Sequence, residues 1–555
     1  MTKRGEILAS ATDPTNGMPR TDRLLRKPRQ YMVWREFWML LLASCLSGCM
    51  ALPDVSERPW QQALPTSDSG RLAQIAVASS ASGELSGFRL IGNGTEALQA
   101  RLALIEAATR SLDLQVYQFK GDAIGRALMR ALRDAAVRGV RVRVLVDDLY
   151  TAGDDGLWLA LSSQPGVELR LFNPFLAARD SPVSRLLESA LGDERLHRRM
   201  HNKLMVADGV LALAGGRNIA DAYYLPMPQG SFVDIDVLVA GALVPQMAQA
   251  FDLYWNSEYS HALSSVLELA LSEPPKRHDW ADALDRPCDT EACAALERIR
   301  REPSALAVEF AQGRLAMKQA LALAASDSPM KIENVEVATD IGMLATSGAQ
   351  VRLLVAHAIR QARQEVTVVS PYLIPGPAGV AGIATLRQRG VAVTLLTNSM
   401  AATDEPMVHL GYRKYRAAML REGVALYEWS PARGGRVLRE LLVGGTVLRL
   451  HTKAALIDRE LVFLGSMNFD PRSRDLNTEF GLLIRSPELA EELHALLQRL
   501  LREGAYRLHL GDDGRTLHWT ASDSGRHIEA VEPDTDFGSR LLLDLLEPFV
   551  PEEML

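Results

Sequence analysis

Cysteine is scarce in this chain, with four residues among 555. Cys45 and Cys49 stand near the start, and Cys288 and Cys293 form a lone C-x4-C pair. Such a pair is too little for a metal centre, which usually takes four ligands. It leaves either a disulfide, allowed in an exported protein, or two free thiols. A surplus of positive charge is missing as well. Lys and Arg number 61 against 68 Asp and Glu, a net charge of −7. No global basic field draws nucleic acid, and none is expected as a partner. Long apolar runs are also absent: the strongest, residues 37–46, falls short of the about 20 residues of a membrane-spanning helix. Hydrophobic residues still make up 47% and charged residues 23%. These are ordinary globular values, against collagen-like, coiled-coil and disordered classes. A chain this long can bury a large core in more than one domain.

The run 37–46 fits the apolar core of a secretory signal peptide. Arg20, Arg23, Arg26, Lys27, Arg29 and Arg35 precede it, and Leu46-Ser47-Gly48-Cys49 follows it, which looks like a bacterial lipoprotein box. On this reading residues 1–48 are a signal peptide and Cys49 is lipidated as the mature N-terminus. The expected location is the bacterial cell envelope, as a membrane-anchored lipoprotein facing the periplasm. The long leader leaves Met18 and Met32 as alternative starts. The competing reading is a short buried helix with an incidental Cys. Residues 49–85 are rich in Ser, Ala and Pro and read as a flexible tether.

From residue 88 the pattern becomes periodic. Residues 95–109 and 123–137 have helical spacing; 112–117 and 140–146 read as strands. Strands alternating with helices imply an α/β class with mostly parallel sheets. The same order returns at 351–363, 366–370, 380–388 and 391–396. Arg138-Gly139-Val140 matches Arg389-Gly390-Val391, far too long a period for a solenoid. The chain thus reads as two homologous domains, 86–260 and 335–505. A connector, 261–334, lies between them with a helix near 304–325. A C-terminal extension, 506–555, is expected to pack on the second domain through a last apolar helix near 539–546.

Two segments carry chemistry. His201-Asn202-Lys203 leads to Asp208 and then Gly215-Gly216-Arg217-Asn218; His451-Thr452-Lys453 leads to Asp458 and then Gly465-Ser466-Met467-Asn468. Both read H-x-K-x4-D-x6-G-[GS]-x-N. One H-x-K-x4-D match arises by chance in about a few per cent of chains this long; two at the repeat offset are far rarer. If each segment is a strand, His and Lys two residues apart share a face. A face of His, Lys and Asn suits an anion, because ammonium and amide groups donate hydrogen bonds. A metal prefers His with carboxylates or Cys, and a neighbouring ammonium repels it. The pattern therefore points to phosphate chemistry without metal or other cofactor. One His can attack phosphorus while the other protonates the departing oxygen, which requires one neutral and one protonated imidazole. Lys203, Lys453, Asn218 and Asn468 would stabilise the transition-state charge. A reacting His also needs its other nitrogen held. Glu479 is the candidate after the second motif, and either Asp234 or Asp236 after the first.

The duplicated motif resembles the phospholipase D superfamily. Ser370-Pro371-Tyr372, Thr397-Asn398-Ser399, Gly215-Gly216-Arg217-Asn218-Ile219-Ala220-Asp221 and Asp470-Pro471-Arg472-Ser473 are similar to the bacterial cardiolipin synthase branch, especially its C-type members. The resemblance implies two α/β/α sandwich domains about a pseudo-twofold axis with one active site between them. It implies a covalent phosphohistidine, with His201 as nucleophile and His451 as general acid and then base. Asp208 and Asp458 complete the motif and would support it structurally. The implied activity is metal-independent phosphatidyl transfer producing cardiolipin-like lipid at a membrane surface. Phosphatidylglycerol and phosphatidylethanolamine are the implied substrates. The alternative is a phospholipase D-type hydrolase, with a nuclease further behind. The basic stretch Arg195, His197, Arg198 and Arg199 reads as headgroup-attracting or solvated, Tyr117 and Tyr372 as lining the site or packed in the core, and His409 and Tyr412 as surface or rim residues.

Overall fold

The computed structural model describes residues 52–547, apart from 56, 81–82, 177–178, 180–182, 184, 186–187, 189–193, 228–229, 272–275, 330–350, 438–446, 522–526 and 530. The expected signal peptide, with its apolar run and Cys49, lies outside the described residues. One strand order is built twice. In the first half Ser86–Ile91 pairs with Asp236–Gly241, and the sheet continues through Leu211–Gly215, Leu204–Ala207, Ser111–Val116, Arg141–Asp147 and Val167–Phe172 to Ser260–Ala262. In the second half Lys318–Ser326 leads through Phe480–Arg485, Leu461–Gly465, Ala454–Ile457, Glu365–Val369, Ala392–Asn398 and Ala425–Trp429 to Ala505–Leu510.

The α/β class stands, but the sheets are mixed rather than mostly parallel. In each half the parallel pairings join three neighbouring strands, and the other pairings within the half are antiparallel. Connection length decides this. The parallel strands are linked through helices such as Ala123–Val137 and Gly376–Gln388. The strand after each His is followed by a turn of three residues, far too short for a crossover. Ala123–Val137 turns Ile124, Ala127, Leu128, Leu132 and Ala135 inward, and Asp122 caps its start by accepting from the Gly125 amide at 3.1 Å.

Lys318–Ser326 replaces the end of the expected connector helix. That helix spans Ala305–Gln312 and stops at Gly313, which takes a left-handed φ of 82°. The alternating Ala and Leu residues that follow then enter the sheet. Tertiary pairing overrides the helical preference of both residue types. Residues 318–320 pair with Ser86–Phe88 and residues 321–326 with Phe480–Arg485, so one strand joins the two halves. A continuous apolar core runs through both, from Phe88, Met200 and Trp255 to Trp429, Leu450 and Leu497.

The segment expected as a flexible tether is docked on the first half over much of its length. The Arg58 guanidinium donates to the carbonyls of Ser260 and Ser257 at 2.6 and 3.0 Å, and the Ala63 amide to Asp252 at 2.7 Å. Helix Arg71–Ser79 then buries Leu72 and Ile75. A side chain with five donors and an amphipathic stripe had been submerged in a Ser/Pro-rich composition. Cys288 and Cys293 form a disulfide, with Cys293 in the first turn of the helix Glu291–Arg301. After Ala505–Leu510, strands Leu517–Ala521 and His527–Glu529 extend the second sheet, and helix Phe537–Leu546 sets Leu543 against Met400 and Leu410. Among the described residues no helix is long and apolar enough to cross a membrane.

Candidate active site

His201 and His451 lie in extended chain three residues before the strands Leu204–Ala207 and Ala454–Ile457. Each is held by backbone of the opposite half. The His201 amide donates to the Thr478 carbonyl at 2.9 Å, and the His451 amide to Val233 at 2.8 Å. The second contact continues a short parallel pairing of Ser231–Val233 with Leu448–Leu450, and Met200 bridges Thr478 in the matching place. The two motifs, 250 positions apart in sequence, are thereby brought to one interface.

The carboxylates behind the imidazoles are exchanged in the same way. His201 Nδ1 donates to Glu479, with oxygens at 2.9 and 3.1 Å, and His451 Nδ1 donates to Asp234 at 2.7 Å. Each Nε2 is then the nitrogen left for a ligand. Of the two acids proposed after the first motif, Asp234 takes this position and Asp236 does not. Asp236 ion-pairs with Arg101 at 2.9 Å and with Arg217 at 3.4 Å inside its own half. Residues two apart in one strand share a face, but Asp234 lies outside the strand Asp236–Gly241 and so is freed from that rule.

Lys203 Nζ donates to the His201 carbonyl at 2.5 Å, and Lys453 Nζ to the His451 carbonyl at 2.6 Å. The residues after each motif strand shape the support. A β-carbon at Gly216 would meet Asp234 Oδ1 at 2.3 Å. At the matching place the Ser466 hydroxyl donates to Glu479. The Asn218 amide donates to the Tyr223 hydroxyl at 2.9 Å, while the buried Asn468 Oδ1 has no hydrogen-bond partner among the described residues. Asp208 and Asp458 stand apart from this group. At φ 51° each turns its carboxylate onto backbone amides: Asp208 accepts from Thr109, Arg110 and Ser111, and Asp458 from Arg363, Gln364 and Glu365. Seven extended residues put them roughly 20 Å from the imidazoles. Grouped with the catalytic candidates by their motif, they belong to the fold, as the structural reading of them holds.

All six central side chains, His201, Lys203, Asp234, His451, Lys453 and Glu479, are buried. Burial and the charges of Lys203 and Lys453 push both imidazoles well below their usual range. Both shifts favour the neutral imidazole in the protein alone. Burial also pushes Lys203 well down and Lys453 to about 8, and raises Glu479 to about 7. An entering anion reverses the imidazole and ammonium shifts and raises Glu479 further, because it favours every protonated neighbour. The site can thus gather protons as it gathers negative charge.

Several neighbours escaped sequence reasoning. The Tyr223 hydroxyl lies 3.4 Å from His451 Nε2, and the Tyr223 ring meets that imidazole edge-on at 5.1 Å. Tyr117, foreseen as a possible lining residue, meets His201 edge-on at 4.8 Å and lies 5.1 Å from Lys203 Nζ. Asp404, on the loop after strand Ala392–Asn398, acts on the charges of Lys453 and Tyr372. Tyr223 follows Asn218 by five residues, so the motif pointed near it; Asp404 carried no local signal. Other expectations fail. Arg199 is buried on Asp147 at 2.9 Å and Arg195 turns to Asn173, so neither is aimed at headgroups. His409 and Tyr412 are also buried, Tyr412 donating to Glu428 at 2.8 Å. Among the described residues no three His, Cys, Asp or Glu side chains are grouped to hold a metal ion.

Comparison with known proteins identifies the family. The family described as cardiolipin synthase, PLD-like domain, matches residues 102–255 and 355–501. Cardiolipin synthase C of Escherichia coli K12 is 35% identical over 81% of this chain and 92% of its own. Cardiolipin synthase A of Pseudomonas syringae is 24% identical over 81% and 76%. The crystal structure of phosphatidylserine synthase from Haemophilus influenzae shares the fold, with a TM-score of 0.53 at 14% identity over 84% of this chain and 95% of that one. With both halves matched, and a relative of this identity spanning most of its length, the chain belongs to the cardiolipin synthase family of phospholipase D-like proteins.

Proposed function

We propose that this protein transfers phosphatidyl groups between lipids to make cardiolipin-like phospholipid, without metal, through a phosphohistidine. One observation carries the proposal: two imidazoles, each backed by the other half's carboxylate, share a buried site with two lysines. His201 Nε2 attacks the phosphorus of a phospholipid diester. The headgroup oxygen leaves with the proton of His451 Nε2. A second lipid's hydroxyl then gives its proton to His451 and attacks the phosphorus, and His201 departs. The diester's own negative charge favours the protonated His451 that the first step needs. Lys203 and Lys453 hold the non-bridging oxygens as charge builds. Asp234 and Glu479 keep each Nδ1 protonated and each Nε2 aimed. The Tyr223 hydroxyl beside His451 Nε2 supports the general acid and base role there, and so this order of the two His.

Phosphatidylglycerol serves as acceptor, and phosphatidylglycerol or phosphatidylethanolamine as donor. Labelled phosphatidylglycerol, offered alone and with phosphatidylethanolamine, tests this by product. Cardiolipin is expected, whereas phosphatidic acid alone would identify a hydrolase. His201→Ala and His451→Ala should each abolish turnover in a folded protein; activity retained in either would refute the shared site. We also place the protein in the cell envelope, anchored by lipid on Cys49. The Cys288–Cys293 disulfide supports an oxidising compartment. Cys49→Ala should release the protein from the membrane fraction, and persistence there with lipid attached would exclude the anchor.

A further inference from the structure

The last helix, Phe537–Leu546, is amphipathic in an unusual sense: its apolar arc faces outward. Leu543 is its buried residue, packed on Met400 and Leu410. Arg413 ion-pairs with Asp544 at 2.8 Å and with Glu547, fixing the polar side to the helix Pro406–Arg413. Five large apolar side chains remain exposed: Phe537 71%, Leu541 47%, Leu542 58%, Leu545 62% and Leu546 36%. At about 100° per residue these five fall in one arc of roughly 180°, unbroken by charge. Arg540, Leu543 and Asp544 occupy the other side.

This helix rests on the loop that runs from strand Ala392–Asn398 toward the site. Met400, beneath Leu543, belongs to the loop that carries Asp404 and Glu405, and Asp404 acts on Lys453. Met407, two residues after Glu405, adds another exposed apolar side chain. A helix of ten residues is about 15 Å long. Its exposed apolar residues amount to roughly 500 Å², below the ~800 Å² per partner of a stable protein interface. It is too small for a second copy to hold, yet of the form that sinks an apolar face into acyl chains. Resting on the proposed lipid chemistry, we propose that Phe537–Leu546 inserts into the bilayer beside the loop that carries Asp404. The phosphodiester then reaches the two His while its acyl chains stay in the membrane.

The test compares two presentations of substrate. Leu541→Ser/Leu542→Ser/Leu545→Ser should lose roughly tenfold or more of turnover on vesicles of phosphatidylethanolamine and phosphatidylglycerol. It should keep wild-type turnover on short-chain phosphatidylglycerol dissolved as monomers. Equal turnover on vesicles, or equal loss on both, would overturn the inference. A second variant reports insertion whether or not the enzyme turns over. In Leu545→Trp, vesicles of brominated lipid should quench the added fluorescence beyond any quenching of the parent. Absence of that quenching, or its replacement by concentration-dependent self-association, would also overturn it. If the wild type processes neither substrate while Trp at 545 is quenched, the catalytic reading fails and the inserting helix stands.

Discussion

Asp234 and Glu479 differ by one methylene, and their surroundings differ to match. Gly216 leaves no space for a β-carbon beside Asp234, whereas Ser466 donates to the longer Glu479. Glu479→Gln and Asp234→Asn preserve shape and remove charge, so each should lower kcat by about 10²–10⁴-fold, as when an imidazole loses its orienting acid. Glu479 has its carboxyl raised from 4.5 to about 7, so the stability it contributes is complete below about 4.5 and lost as pH rises through about 7. Gln mimics the protonated form. The melting temperature of Glu479→Gln at about pH 8 should therefore equal or exceed that of the wild type, and a marked drop would contradict this account. Lys453, lowered to about 8, sets a second pH dependence. Sulfate binding favours the charged ammonium, so calorimetry should show its affinity weakening as pH rises through about 8, by up to tenfold per unit for one coupled proton. The His and Lys positions were legible because two residues of spacing fix a local pattern. Their acids were named, but the pairing was not legible, since it spans 278 and 217 positions and crosses between halves.

At the scale of elements, the motif strands are pinned at both ends. The far end depends on Asp208 and Asp458, each gathering three amides at the start of a neighbouring strand. Asp208→Ala should cost about 1–3 kcal/mol in denaturant unfolding, because the Ser111 amide is buried. The kcat of the remaining folded protein should be unchanged; a selective loss of kcat would mean that Asp208 reaches the reacting atoms. Periodicity located most elements closely, Ala123–Val137 without error. It failed at Lys318–Ser326, where Ala and Leu suit a helix and only the two sheet edges waiting on either side make a strand. It failed again at Arg71–Ser79, whose short apolar stripe gains meaning from the surface beneath it.

Across the whole molecule, the shared core and the bridging strand make the halves interdependent. Calorimetry of the protein should give one cooperative transition, and two resolved transitions would contradict a common core. The duplication was legible in its period of 250, but a period says that two segments match, not how they face each other. Their facing has a consequence for what each half lacks alone. A polypeptide holding either half alone would carry an imidazole with no acid behind it and an acid with no imidazole before it. Two identical such polypeptides, set around a dyad, would complete one another. The two halves thus hold within one polypeptide the reciprocity that a symmetric dimer holds between two.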